Sequence, residues 1–320
     1  MSHFINDQRT DQARHFAATY EGHVGFEGAG WRLSPDRVGD NLEPSIREAA
    51  ADYFGRLHQI TWHRHAAHGL SSQSCCLNFL MPLATRRDLL SRVIGDALGI
   101  TPPEMLVVEE GAFGQDWFVG FEWIGRQDYL NEAAANGART RGANATSADA
   151  IVRFRHEGRV ETLLIEWKYT ERYGAPLDPK GNPTRVRRYQ DLAFAPDGPI
   201  KNDLGLTVTD FFWEPFYQLL RQQMLASRMQ ATREDDTDRV RVLHISPSGN
   251  RDLHKVTAPA LRPFGDDGFD AFTAVLVDPT AFIGRTTEQV FGPALTALPD
   301  DPWSRYLRDR YAFLDTTAPA

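Results

Sequence analysis

Between Ser147 and Glu171 the chain reads SADAIVRFRHEGRVETLLIEWKYTE, and this stretch constrains the fold more tightly than any other. Two runs rich in β-branched and aromatic residues flank a polar His156-Glu157-Gly158-Arg159, the pattern of two antiparallel strands joined by a tight turn. Side chains alternate across a strand, so Val160, Thr162, Leu164, Glu166 and Lys168 share one face, and Leu163, Ile165 and Trp167 share the other. A loop of two residues, or of four, sets Asp149 directly across from Glu166, with Cβ atoms about 4.5–5.5 Å apart. A loop of three or five slips the register by one and separates the two acids.

Two opposed carboxylates repel each other unless a cation lies between them, and the cations at hand are Lys168 or a divalent metal ion. Oxygen ligands from Asp149 and Glu166, with the Trp167 carbonyl and several waters, match what Mg²⁺ prefers. Lys168 would then orient an attacking water, help deprotonate it, or neutralise charge developing on a phosphate. These parts describe metal-assisted phosphodiester hydrolysis. The plain alternative is a solvated Asp-Glu-Lys face in which Glu166 and Lys168 are simply a salt bridge.

Around the hairpin, apolar residues at Ile46, Ala50, Tyr53, Leu57 and Ile60 predict a helix from Pro44 to about Ala67. A second helix, Ala84 to Leu98, stops at Gly99 ahead of Pro102 and Pro103, the best candidate boundary. Met105 to Val108 and Trp117 to Trp123 read as short strands, and Arg126 to Asn136 as a helix ended by Gly137. Residues 172–203 read as a long surface excursion with at most one short helix. The helical pattern returns from Asp210 to about Met229, where Phe212, Phe216, Leu220 and Met224 form one stripe and Gln218 and Gln222 share another face. Val240 to Ile245 reads as a further central strand, with helices near Thr287 to Ala297 and Trp303 to Phe313.

Asp149 at the head of one strand and Glu166-Trp167-Lys168 at the end of the next resemble the signature of the PD-(D/E)XK nuclease superfamily. Ala148 stands where that signature carries a proline. The phrases SSQ at Ser71 to Gln73, TSADA, IEWKYTE and FYQLLRQQ are, more loosely, similar to bacterial predicted restriction endonucleases. The resemblance implies an α/β fold of the restriction-endonuclease-like kind, a mixed central sheet flanked by helices with a helical N-terminal region. On this reading residues 1–100 are a mainly helical region, 101–250 the nuclease core and 251–320 a C-terminal extension. It further implies Asp149 and Glu166 as Mg²⁺ ligands, with Mn²⁺ as a substitute, and Lys168 in catalysis. Glu132 is the candidate for a further glutamate ligand from an upstream helix, with Glu122 and Glu109 behind it, and Gln218 for positioning water or a phosphate.

The expectation is therefore a Mg²⁺-dependent endonuclease acting on double-stranded DNA, with a homodimer as a candidate assembly. The alternative is an idle nuclease-like fold that binds nucleic acid or a protein partner. A formal charge of −8 argues against coating nucleic acid by bulk attraction, so DNA contacts must be local. Arg185, Arg187 and Arg188, with Arg153 and Arg155, are the candidates for such a surface. The histidines around Trp62, His63, Arg64, His65 and His68 invite a zinc reading that their spacing disfavours, and are alternatively DNA-facing. The adjacent pair Cys75 and Cys76 suits no disulfide framework, and no apolar run reaches membrane-spanning length. The start, MSHFINDQRT, lacks the features of a secretory signal, so a cytoplasmic location is expected.

Overall fold

The computed structural model describes residues 3–142 and 145–315. Helix α1 (His3–Thr19) opens the chain, and a short α2 (Arg47–Ala51) runs into a wider π turn over Asp52–Leu57. The helix expected over 44–67 thus ends early. Gln59 takes φ +49°, a left-handed conformation that breaks the helical ladder. The residues after it still bury apolar surface by folding back, with Trp62 stacked on Phe54 at 4.1 Å. Helix α3 (Ser72–Leu80) is buried on nearly every side, so no amphipathic stripe announces it, and α4 (Arg87–Leu98) ends as expected at Gly99, φ +66°.

Strands β1 (Glu104–Leu106), β2 (Glu109–Glu110), β3 (Asp116–Trp117) and β4 (Val119–Trp123) precede the hairpin of β5 (Ala148–His156) and β6 (Arg159–Trp167). Its loop is the two-residue kind: Glu157 and Gly158 have φ +50° and +77°, as a type I′ turn requires. No helix forms over 126–136. The Asp128 carboxylate accepts the N–H groups of Glu132 (2.8 Å) and Ala133 (3.0 Å), offering the backbone a turn in place of a helical ladder. Further on come α5 (Asn182–Phe194), α6 (Phe216–Ala231), β7 (Arg239–Ser246), α7 (Gly268–Val275), β8 (Phe282–Thr286), α8 (Thr287–Ala297) and α9 (Pro302–Arg310). Among the described residues no helix is long and apolar enough to cross a membrane.

The central sheet is mixed. β6 pairs antiparallel with β5 on one side and parallel with β7 on the other, and β8 extends the parallel part. The far edge of β5 is shared in tandem by β4, along residues 148–152, and β1, along 153–155. Alternation splits the core between the two faces. Val152, Phe154, Leu163 and Ile165 pack in a cluster with α3, α4 and α8; Ile151, Leu164 and Val242 face α5, α6 and α7. The first cluster draws residues from Phe4 to Phe313, so the three spans distinguished in the sequence share one core. The fully buried Arg310 ties the ends of the chain together, donating to Gln12 Oε1 (3.0 Å) and the Asn41 carbonyl (2.6 Å).

Candidate active site

The hairpin register decides the site. Pairing of Ala150 with Ile165 places Asp149 beside Glu166 at the open end of the β5–β6 ladder. Lys168 donates its amide N–H to the Ile245 carbonyl at 2.9 Å, which keeps the backbone extended past β6 and holds Lys168 on the face of Glu166. All three side chains line one cavity of about 180 Å³, against Gln218, Arg221 and Gln222 of α6. The Lys168 ammonium touches Glu166 Oε1, and both residues are buried. Gln222 Nε2 donates to Glu166 Oε2 (2.9 Å) and to the Ser147 carbonyl (2.5 Å), so one carboxamide spans from Glu166 to the entrance of β5. Those two bonds fix the amide orientation and leave Gln222 Oε1 a buried acceptor with no partner among the described residues, as is Gln218 Oε1. Asp149 Oδ2 accepts the Trp167 N–H at 2.6 Å.

Crowding sets the charges. Burial, then Glu166 and Glu122, push the Asp149 carboxyl well above its ordinary value, against the pull of Lys168 and the Trp167 N–H. Burial disfavours the Lys168 ammonium, but Glu166, Tyr173, Asp149 and Glu171 outweigh it and hold the lysine protonated. Lys168 therefore stands at rest as the counter-ion of the acidic group rather than as a free base. Glu214, whose carboxylate accepts the Gln218 N–H at 3.3 Å, is also raised by burial.

Glu132 does not join them. Its carboxylate meets Arg221 (3.1 Å), the Tyr189 hydroxyl (2.5 Å) and both donors of Thr146, and those contacts brace the wall of the cavity from behind. The glutamate that does reach the cavity is Glu122, opposite Asp149 on β4; it accepts from Gln73 Nε2 (2.6 Å) and Ser147 Oγ (3.1 Å) and lies 3.3 Å from His63 Nε2. Trp167 meets Asp149 through its amide, while its indole packs on the opposite face between Phe79 and Phe291. Among the described residues no three His, Cys, Asp or Glu side chains are grouped to hold a metal ion. What fits one is the pair Asp149 and Glu166 with the unpartnered Gln218 and Gln222 oxygens, a hard-oxygen set that leaves the remaining positions to water, as Mg²⁺ accepts.

The arginines divide. Arg185 braces the start of α5 through the Asp178 carbonyl (2.7 Å) and Asn182 (2.9 Å). Arg153 is spent on the Val107 and Asp235 carbonyls and Arg155 on Glu104, roughly 13 and 20 Å along β5 from Asp149 at about 3.3 Å per residue. The Arg187 and Arg188 side chains form no hydrogen bond or ion pair among the described residues.

A model of the family described as restriction endonuclease associating with ARP matches residues 8–312. The chain belongs to this family. The match runs through α1, the hairpin and α9, so family membership covers the elements that build the cavity as well as those that frame it. Neither the curated proteins nor the solved structures include a match.

Gln222, Gln73 and His63 were singled out in the sequence, but not for the parts they take in the cavity. Gln222 carried a signal, sitting one helical turn after Gln218 on the same face. Gln73, in the SSQ phrase, and His63, in the histidine stretch, gave no sign of this meeting, because they reach Glu122 across 49 and 59 residues of chain.

Proposed function

We propose that the protein is a Mg²⁺-dependent endonuclease of the PD-(D/E)XK kind that hydrolyses phosphodiester bonds of double-stranded DNA, as expected of a restriction or defence enzyme. The observation that carries this reading is the convergence of Asp149, Glu166 and Lys168 in one cavity of a restriction-endonuclease-like chain. Asp149 and Glu166 would hold the ion, which supplies a Lewis acid for the phosphate and lowers the pKa of a bound water. Gln222 keeps Glu166 aimed while its other contact holds the start of β5. Lys168, already protonated, orients the attacking water and neutralises charge growing on the phosphate. Gln218 offers a further oxygen to a water of the site. We extend the proposal to an association with ARP, which the family's description names.

The test is incubation of plasmid DNA with the protein, with and without Mg²⁺ or Mn²⁺, alongside Lys168→Ala. Cleavage that needs the metal and disappears in the variant is the expected result. Intact DNA under every condition, or equal cleavage by the variant, refutes the assignment.

A further inference from the structure

We propose that His63, held by Glu122, is the proton donor to the departing oxygen of the scissile phosphodiester, an inference that rests on the nuclease reading of the cavity. Hydrolysis forms a bond from water oxygen to phosphorus and breaks a bond from phosphorus to a bridging oxygen, which leaves as an alkoxide unless it gains a proton. The entering and leaving oxygens stand roughly in line on opposite sides of phosphorus. The cavity has two such sides. Asp149 on β5 is flanked by Glu166 on β6 and Glu122 on β4, each one strand spacing of about 4.8 Å away. Lys168 belongs to the Glu166 side and is committed there. His63 belongs to the Glu122 side.

The His63 side is built, not incidental. The His63 backbone N–H donates to Gln73 Oε1 (2.9 Å), Gln73 Nε2 donates to Glu122 Oε1 (2.6 Å), and the imidazole Nε2 closes the ring at 3.3 Å from the same oxygen. The neighbouring Trp62, stacked on Phe54, anchors the segment. Glu122 itself has φ +51° and interrupts the β4–β5 ladder between Phe121 and Trp123, a strained conformation of the sort that is kept where a side chain must be aimed. Glu122 is 3% exposed and His63 41%, so the carboxylate is sealed while the ring reaches the cavity opening. With Nε2 turned to Glu122, Nδ1 is the nitrogen left to serve as the donor. The groups facing the ring are Glu122 on β4, Asp149 on β5, Lys168 after β6 and the neutral Gln73 on α3. In the step, His63 gives its proton to the bridging oxygen as the P–O bond breaks; the water's proton passes to solvent, from which His63 is recharged.

The experiment uses the full chain, a duplex oligonucleotide containing a mapped cleavage site, and the same duplex with sulfur replacing the bridging oxygen that leaves. A thiolate departs without a proton. His63→Gln should cut the normal duplex slower by about 10²–10⁴ at saturating DNA, with KM little changed, and cut the sulfur duplex within a few-fold of wild type. Glu122→Gln should show the same pattern with a smaller loss. Glu166→Gln should remain slow on both substrates. Equal slowing of both substrates in His63→Gln refutes the donor role, as does full activity of that variant. Weakened Mn²⁺ binding in His63→Gln by calorimetry refutes it too, because the ring would then be holding the ion. A wild-type protein inert on both duplexes with either metal overturns the nuclease reading itself, and the donor role with it.

Discussion

Replacing Lys168 by methionine keeps the length of the side chain and removes the ammonium that touches Glu166. In the metal-free protein this leaves the buried Glu166 beside the half-buried Asp149, with Glu122 beyond them. Deleting one partner of a buried ion pair costs about 3–5 kcal/mol, because the other charge stays desolvated and unpaired. With an unfolding entropy of roughly 2.1 cal/mol/K per residue over 320 residues, about 0.7 kcal/mol/K in all, that loss lowers Tm by about 4–7 °C. Differential scanning calorimetry at pH 8 in EDTA measures it. Glu166→Gln should cost less, because Asp149 remains as a counter-ion for Lys168. The double variant should cost less than the sum of the two singles by about 0.5–3 kcal/mol, the range for residues in contact. Added Mg²⁺ should raise Tm more in Lys168→Met than in wild type, because the ion takes the vacated cationic place. A methionine variant that melts with wild type in EDTA would show that the lysine does not neutralise the acidic group, and the electrostatic account of the site would fall.

Asp149→Ala and Glu166→Ala should each abolish cleavage while retaining a cooperative thermal transition, and loss of that transition in both would make the pair structural. Gln222→Leu should keep the fold but reduce kcat about 10–100-fold through the freed Glu166 carboxylate, as losses of groups that orient ligands do; an unchanged kcat removes Gln222 from the site. Burial, helped by Arg310, depresses the His15 pKa from 6.5 to about 4, so between those values the unfolded chain binds a proton that the folded chain refuses. Stability should therefore fall as pH drops through that window, and urea midpoints should show a shallower fall in His15→Gln; equal slopes refute the assignment. Changing Arg187 and Arg188 together to alanine should flatten the dependence of log affinity on log salt by about one unit per lost phosphate contact, and an unchanged slope takes α5 out of the DNA path.

The hairpin was legible because everything that specifies it lies within a few residues. Alternation sorted Glu166 and Lys168 from Trp167, and the Glu157-Gly158 turn, with its two positive φ angles, set the count that brings Asp149 to Glu166. The stop of α4 at Gly99 and the span of α8 were local in the same way. The helix expected over 126–136 failed for the opposite reason. Its composition is helical, but Asp128 competes for the backbone N–H groups and Arg221, 89 residues on, draws Glu132 inward. Helix α3 escaped notice because an element buried on most of its surface carries no period to read.

From sequence alone, then, came the strand pair and the three residues that one of its possible registers gathers, since period and turn chemistry act between neighbours in the chain; the two-residue turn of the fold chose that register. Only the tertiary structure decided that Glu122 rather than Glu132 stands in the cavity, that Gln222 secures Glu166, and that His63 and Gln73 complete the far wall. Those contacts join residues 49 to 59 positions apart. Whether such residues meet depends on how whole elements pack on the sheet, and side-chain periodicity within one segment carries no information about the segment it will face.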